Sequence, residues 1–219
     1  MANEPTEASF LKDVAEHRMT VLLDSGVYRS IRFSKPGTVC YSFTLSTFPG
    51  HLVITGDMGS WVFERLHDML EFFRTDRKGE GLRINLRYWS EKLVAANVTG
   101  RFDGGATEYC PDTFRQEIWN RTLILSRRLR DTGAEWSDIR GLIDEAKDAR
   151  NAADDGEYAA HKAARDFSYQ FRGRTYEFSD FWETNLRRYR YHFIWACYAI
   201  AWGVKQYDAH AQKPVHEEA

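Results

Sequence analysis

Apolar residues change their period several times along this chain. Between Glu7 and His17, Phe10, Leu11, Val14 and Ala15 recur at spacings of three and four, which predicts a short amphipathic helix. Four β-prone runs follow: Met19 to Leu23, Tyr28 to Phe33, Val39 to Thr47 and His51 to Thr55. They are separated by Asp24-Ser25-Gly26, Lys35-Pro36-Gly37 and Pro49-Gly50. Such short turns join antiparallel strands and are too short for parallel crossovers. In the third run Val39, Tyr41, Phe43 and Leu45 alternate with Cys40, Ser42, Thr44 and Ser46, the pattern of a sheet with one buried face.

After Gly56-Asp57-Met58-Gly59, the residues Trp61, Val62, Leu66, Met69, Leu70 and Phe73 return to helical spacing, with Ser60 as a candidate N-cap. Further helices are expected over Leu86 to Ala96, Pro111 to Leu129, Trp136 to Arg150, Asp154 to Phe167 and Leu186 to Gln206. Asn97 to Pro111 and Arg150 to Gly156 read as connections. Strands followed by helices predict an α+β class: an N-terminal antiparallel β-meander packed by a mainly helical C-terminal part. The apolar run Tyr191 to Val204 falls short of the roughly 18–20 residues of a membrane span. It predicts a buried helix whose Phe193, Ile194, Cys197, Ile200, Ala201 and Val204 face the core, with His192 as a core histidine.

Composition narrows the function classes. The 219 residues carry 30 Lys+Arg against 32 Asp+Glu, a net charge of -2, so no global basic field marks a nucleic-acid or membrane-surface binder. At roughly 100–200 residues per domain, one domain over residues 1–210 is expected, with 211–219 a frayed polar tail. The three cysteines, Cys40, Cys110 and Cys197, lack C-x-x-C spacing and read as reduced thiols. The start, MANEPTEASF, has no basic stretch followed by an apolar one, so no secretory signal is expected.

Catalytic signatures are missing from the sequence. No serine lies in G-x-S-x-G, and no histidine pair has H-E-x-x-H spacing. His51 and His67 with Asp57 and Asp68 form a weak metal candidate, Thr55 to Ser60 a weak anion-binding turn, and Asp144-Glu145 and Asp154-Asp155 solvated acid pairs. No catalytic residue, metal or cofactor is expected.

Arginine interleaved with aromatics is the more suggestive feature, because guanidinium groups fork onto phosphate while rings stack on bases. It occurs at Tyr28 to Phe33, at Arg83 with Arg87-Tyr88-Trp89, at Phe171 to Tyr176 and at Arg187 to Tyr191. The same pairing builds protein-interface hot spots, and arginines also simply cover an aromatic core. Arg29 and Arg32 fall on opposite strand faces. Arg83 and Arg87 share a helical face if that helix begins early enough, as Arg187, Arg190 and Tyr191 do on the last helix. A cleft between those helices and the sheet is therefore expected to hold an anionic ligand against Arg83, Arg87, Tyr88, Trp89, Arg187, Arg190 and Tyr191.

Four stretches carry a resemblance: Phe10 to Thr20, Gly50 to Gly59 leading into His67 to Arg74, Leu86 to Leu93, and Tyr191 to Asp208. On these the chain resembles a family of uncharacterised accessory proteins of temperate phages and prophages, most weakly between Asp131 and Arg165. The resemblance brings no catalytic motif. It implies a non-structural phage gene product in the cytoplasm of a bacterial host, and thereby a role in counter-defence. The first expectation is a non-catalytic protein that sequesters a small phosphorylated or nucleotide-type immune signal. An inhibitor binding a host defence nuclease or CRISPR effector is the alternative, and a nucleotide hydrolase a third; self-association is left open.

Overall fold

Alternating burial builds the N-terminal sheet. The computed structural model describes residues 4–75, 81–96 and 105–212. Strands β1 (Arg18–Ser25), β2 (Tyr28–Ser34), β3 (Phe43–Phe48), β4 (His51–Gly56), β5 (Gly59–Glu64) and β6 (Leu93–Ala96) lie in sequence order, each antiparallel to the next. Ile31, Leu45, Ile54 and Trp61 are successive cross-strand partners, and all four are buried. The α+β class and the antiparallel meander are as the turn lengths imply.

The chain divides into two compact units, Met1–Thr107 with Tyr189–Ala219, and Glu108–Arg188. In the first, helix α1 (Glu7–Asp13) opens with a Thr6–Ser9 capping box and buries Phe10. The last helix covers the apolar sheet face, and Phe193, Ile194, Cys197, Ile200, Ala201 and Val204 are all buried there. Gly203 permits the close approach: a Cβ at this position would stand 2.7 Å from Leu45 Cδ1. Arg29 clamps the sheet to the segment before the next helix through two 3.0 Å hydrogen bonds to Asp68, whose Oδ1 also accepts from the Leu70 amide.

Several helical expectations are corrected. Gly59–Glu64 is a strand, because Gly56 pairs with Gly59 across a hairpin and Trp61 and Phe63 alternate inward; helix α2 (Met69–Thr75) begins only after Asp68. The Thr55 to Ser60 turn therefore feeds no helix. Leu86 starts a helix, α3 (Leu86–Ser90), but Leu93–Ala96 pairs with the open edge of β5 instead of continuing it. Val39 to Ser42 lies outside β3, and Tyr41 takes a left-handed φ of 56° as its amide donates to Asp57 Oδ2.

The last helix starts at Tyr191, not Leu186, because Arg187–Tyr189 forms a strand; His192 consequently lies exposed in the first turn. Of the expected loop over Asn97 to Pro111, residues 97–104 lie outside the described residues, as does most of the expected tail, 213–219. No helix among the described residues is long and apolar enough to cross a membrane.

The second unit is built from helices α4 (Pro111–Asp131), α5 (Trp136–Asn151) and α6 (Glu157–Asp166), with a hairpin of β8 (Ser168–Phe171) and β9 (Arg174–Glu177). Strands β7 (Thr107–Tyr109) and β10 (Arg187–Tyr189) pair where the chain passes between units, and α7 (Tyr191–Ala211) ends the described fold. The hairpin turn, Arg172-Gly173, has φ of 47° and 76°, the geometry of a type I′ turn with both residues left-handed. Phe114, Ile118, Leu142, Ala160, Ala164 and Phe181 belong to a core cluster of this unit's own.

His17 gives the first unit a pH response. Its Nε2 donates to the Tyr41 carbonyl at 3.1 Å, while Nδ1 is buried with no hydrogen-bond partner among the described residues. Burial lowers the ring's pKa from 6.5 and Lys35 reinforces this, against the Tyr41 bond and Asp13. Between the lowered folded value and 6.5 the unfolded chain takes up the proton first. The stability owed to neutral His17 is thus complete above that window and is lost as pH falls through it. Urea titrations from about pH 7 to about pH 5 are expected to show this decline and His17→Gln to flatten it; an equal slope in the variant would exclude His17 as its source.

Candidate functional site

The sequence-derived site residues do not assemble as their spacing suggested. α3 spans five residues, so Arg83 lies outside it and shares no helical face with Arg87. Arg83 instead lines an open cleft of about 520 Å³ with Glu4, Asn85, Leu86, Ile194 and Tyr198. The Arg87 side chain is 90% exposed, 3.9 Å from Glu91. Tyr88 is half-buried against Phe72, with Lys92 over its ring, and Trp89 is fully buried edge-on to Phe73 at 4.8 Å, so it offers no ring face to a ligand.

Arg187 belongs to the second unit, where it bonds Glu157 at 2.6 Å, whereas Arg190 sits at the N-cap position of α7 and Tyr191 is partly exposed in its first turn. A strand across 187–189 removes the shared helical face expected of Arg187, Arg190 and Tyr191. Arg29 and Arg32 do fall on opposite faces, but Arg29 is committed to Asp68.

The metal candidate also disperses. His51 bonds the Pro49 carbonyl, Asp57 the Tyr41 amide and Asp68 Arg29. Among the described residues no group of three or more His, Cys, Asp or Glu is placed to hold a metal ion. Burial pushes the Cys197 thiol well above its ordinary range, which suppresses its thiolate.

A different site forms within the second unit. Tyr158, His161, Lys162 and Arg165 are spaced i, i+3, i+4 and i+7 on α6 and share one face, while Ala160 and Ala164 are fully buried on the other. Facing that stripe is the segment Phe178 to Trp182. Phe178 stacks on Phe167 with centroids 4.1 Å apart, and Phe181 meets Phe114 edge-on at 5.7 Å. Arg121 secures the segment, with its guanidinium 4.9 Å over the Phe181 ring and hydrogen bonds to the Ser179 carbonyl at 2.6 Å and Thr184 Oγ1 at 2.9 Å. Asp180, at φ 54° and ψ 28°, turns the chain left-handed just before Phe181 and Trp182.

The result is a cleft of about 520 Å³ with an apolar floor of Phe178 and Phe181. At its sides Tyr158 is 81% and Trp182 73% exposed. Lys162 and Arg165 both reach Asp166, at 3.3 and 3.0 Å, and the Arg165 and then the Lys162 hydrogen bond hold that carboxyl below its ordinary range. His161 approaches the Phe181 ring edge-on at 6.0 Å, and no hydrogen bond joins it to Ser179, the hydroxyl that shares the cleft. These groups offer ring faces, an apolar base and cationic donors beside the carboxylates of Glu177 and Asp180, a set suited to stacking a flat molecule.

Sequence reading missed this site, although it left two signals. One is the polar stripe opposite Ala160 and Ala164, and the other is the aromatic run Phe178-Ser-Asp-Phe-Trp182. In comparisons with known proteins, no family model, no curated protein and no solved structure matches the chain.

Proposed function

We propose that this protein binds, without transforming it, a small phosphorylated ligand bearing a flat aromatic group, a nucleotide-type molecule, in the cleft between α6 and the Phe178 to Trp182 segment. The observation that supports this is the exposure of Tyr158 and Trp182 beside an apolar floor and three basic side chains. Large aromatic surface left open to water is compensated when a base stacks on it, at about 1–3 kcal/mol per stacked base. The cleft volume lies in the usual range for small-molecule sites. In the phage setting implied by the resemblance, such a binder acts by sequestration, withdrawing a nucleotide-type immune signal from its host receptor.

The test is incubation of the full chain with a panel of linear and cyclic nucleotides, followed by recovery of the ligand. One nucleotide is expected to bind and to be recovered intact, with Trp182→Ala weakening it by on the order of ten-fold while leaving the unfolding temperature unchanged. Degraded nucleotide would mean hydrolysis. Absence of binding across the panel, or equal affinity in the variant, would overturn the reading and turn attention to a protein partner.

A further inference from the structure

A second concavity shares a wall with the aromatic cleft. It has a volume of about 390 Å³ and is lined by Leu125 and Arg128 of α4, by Thr132, and by Arg174 to Glu177 and Ser179. Glu177 and Ser179 line both spaces, so the two adjoin. The charges differ in kind. Lys162 and Arg165 in the cleft share Asp166, whereas Arg128 and Arg174 make no ion pair or hydrogen bond through their guanidinium groups with any described residue. The Thr132 and Thr175 hydroxyls are engaged with Leu129 and Gln170, which leaves the guanidinium groups and the Ser179 hydroxyl to receive a ligand. Arg172, which does not line the notch, donates to the Thr132 carbonyl at 3.3 Å.

We infer that this notch is a phosphate subsite, formed by Arg128 and Arg174, that takes the phosphate of a nucleotide whose base stacks in the adjoining cleft. The assignment of the base rests on the function proposed above; the assignment of the phosphate does not. A phosphate monoester gains most from guanidinium groups with no internal carboxylate to displace, and each presents planar paired donors. Glu177 sets the selectivity. Its carboxylate lines the notch with Arg128 and Arg174, so two positive charges stand against one negative and the notch stays net cationic.

Inorganic phosphate, adenosine and adenosine 5′-monophosphate are the probes, titrated at constant ionic strength into the isotopically labelled full chain and followed by NMR. Inorganic phosphate is expected to shift the amides around Arg128 and Arg174. Arg128→Ala and Arg174→Ala, both at exposed positions, should each weaken it by about ten-fold or more. Glu177→Gln should tighten it. The monophosphate is expected to bind more tightly than adenosine, and this advantage should disappear in Arg174→Ala while adenosine binding stays unchanged. If adenosine fails to bind but phosphate still titrates these amides, the notch stands and the base reading falls. Phosphate affinity unchanged in both arginine variants would overturn the notch.

Discussion

Gly56→Ala is expected to be the most damaging single-methyl change in the chain, removing on the order of 4 kcal/mol from a total of roughly 5–15 kcal/mol. Gly56 closes β4, opposite Phe43 on one side and Gly59 on the other. A Cβ there would collide with the Ser42 carbonyl oxygen and lie 2.8 Å from Phe43 Cα. Both are backbone atoms in a packed sheet, so no side-chain rotation relieves the overlap. Moving the Ser42 carbonyl would also break its 3.0 Å bond from the Asp57 amide. Gly50→Ala is the control: its φ is 81°, but a Cβ there meets nothing within 4 Å. It should lose only the left-handed penalty of about 1–2 kcal/mol. Urea denaturation of both variants checks the pair, and equal losses would show that steric overlap at Gly56 is not the controlling factor.

Trp195→Ala should destabilise by about 3–5 kcal/mol. The ring is 1% exposed and joins three parts of the first unit: it meets Phe10 edge-on at 5.2 Å, Phe43 edge-on at 5.8 Å, and stacks with Tyr41 at 5.8 Å. Its Nε1 also donates to Asp13 Oδ2 at 3.0 Å. Trp195→Phe separates the two contributions. It keeps most of the ring packing and loses the indole donor, which should account for about 1–2 kcal/mol. A phenylalanine variant as unstable as the alanine one would show that the hydrogen bond, not the packing, holds α1 against α7.

The strands over Tyr28 to Phe33, Phe43 to Thr47 and His51 to Thr55 were legible because a two-residue period with short turns has one economical solution, and α4, α5 and the buried face of α7 because their helical stripes are long. The same alternation over Val39 to Ser42 did not extend β3. Trp61 to Phe63 misled because aromatic and branched residues also fit spacings of three and four once Leu66 and Met69 are counted with them. What decides for a strand is the edge of β4 waiting beside it, a tertiary fact. The same holds for Leu93 to Ala96. The candidate site was illegible for a similar reason. Tyr158 to Arg165 has an ordinary amphipathic pattern, and it becomes one wall of a cleft only when a left-handed residue, Asp180, brings Trp182 beside it. The arginines singled out at 29 and 187 are bound to acids distant in sequence, which local spacing cannot show.

Because Glu108–Arg188 is inserted between the sheet and α7, synthesis delivers the two units out of order. The inserted unit is contiguous and has its whole sequence available before the ribosome reaches the helix that covers the meander. Until then Ile31, Leu45, Ile54 and Phe63 have no α7 to pack against, and bonds such as Trp195 to Asp13 must close across 182 residues. Such separations mean slow closure, since loop entropy is lost before the contact repays it. For a nascent chain this is a window in which an apolar six-stranded sheet is exposed to self-association, and chaperone capture would have its greatest effect there.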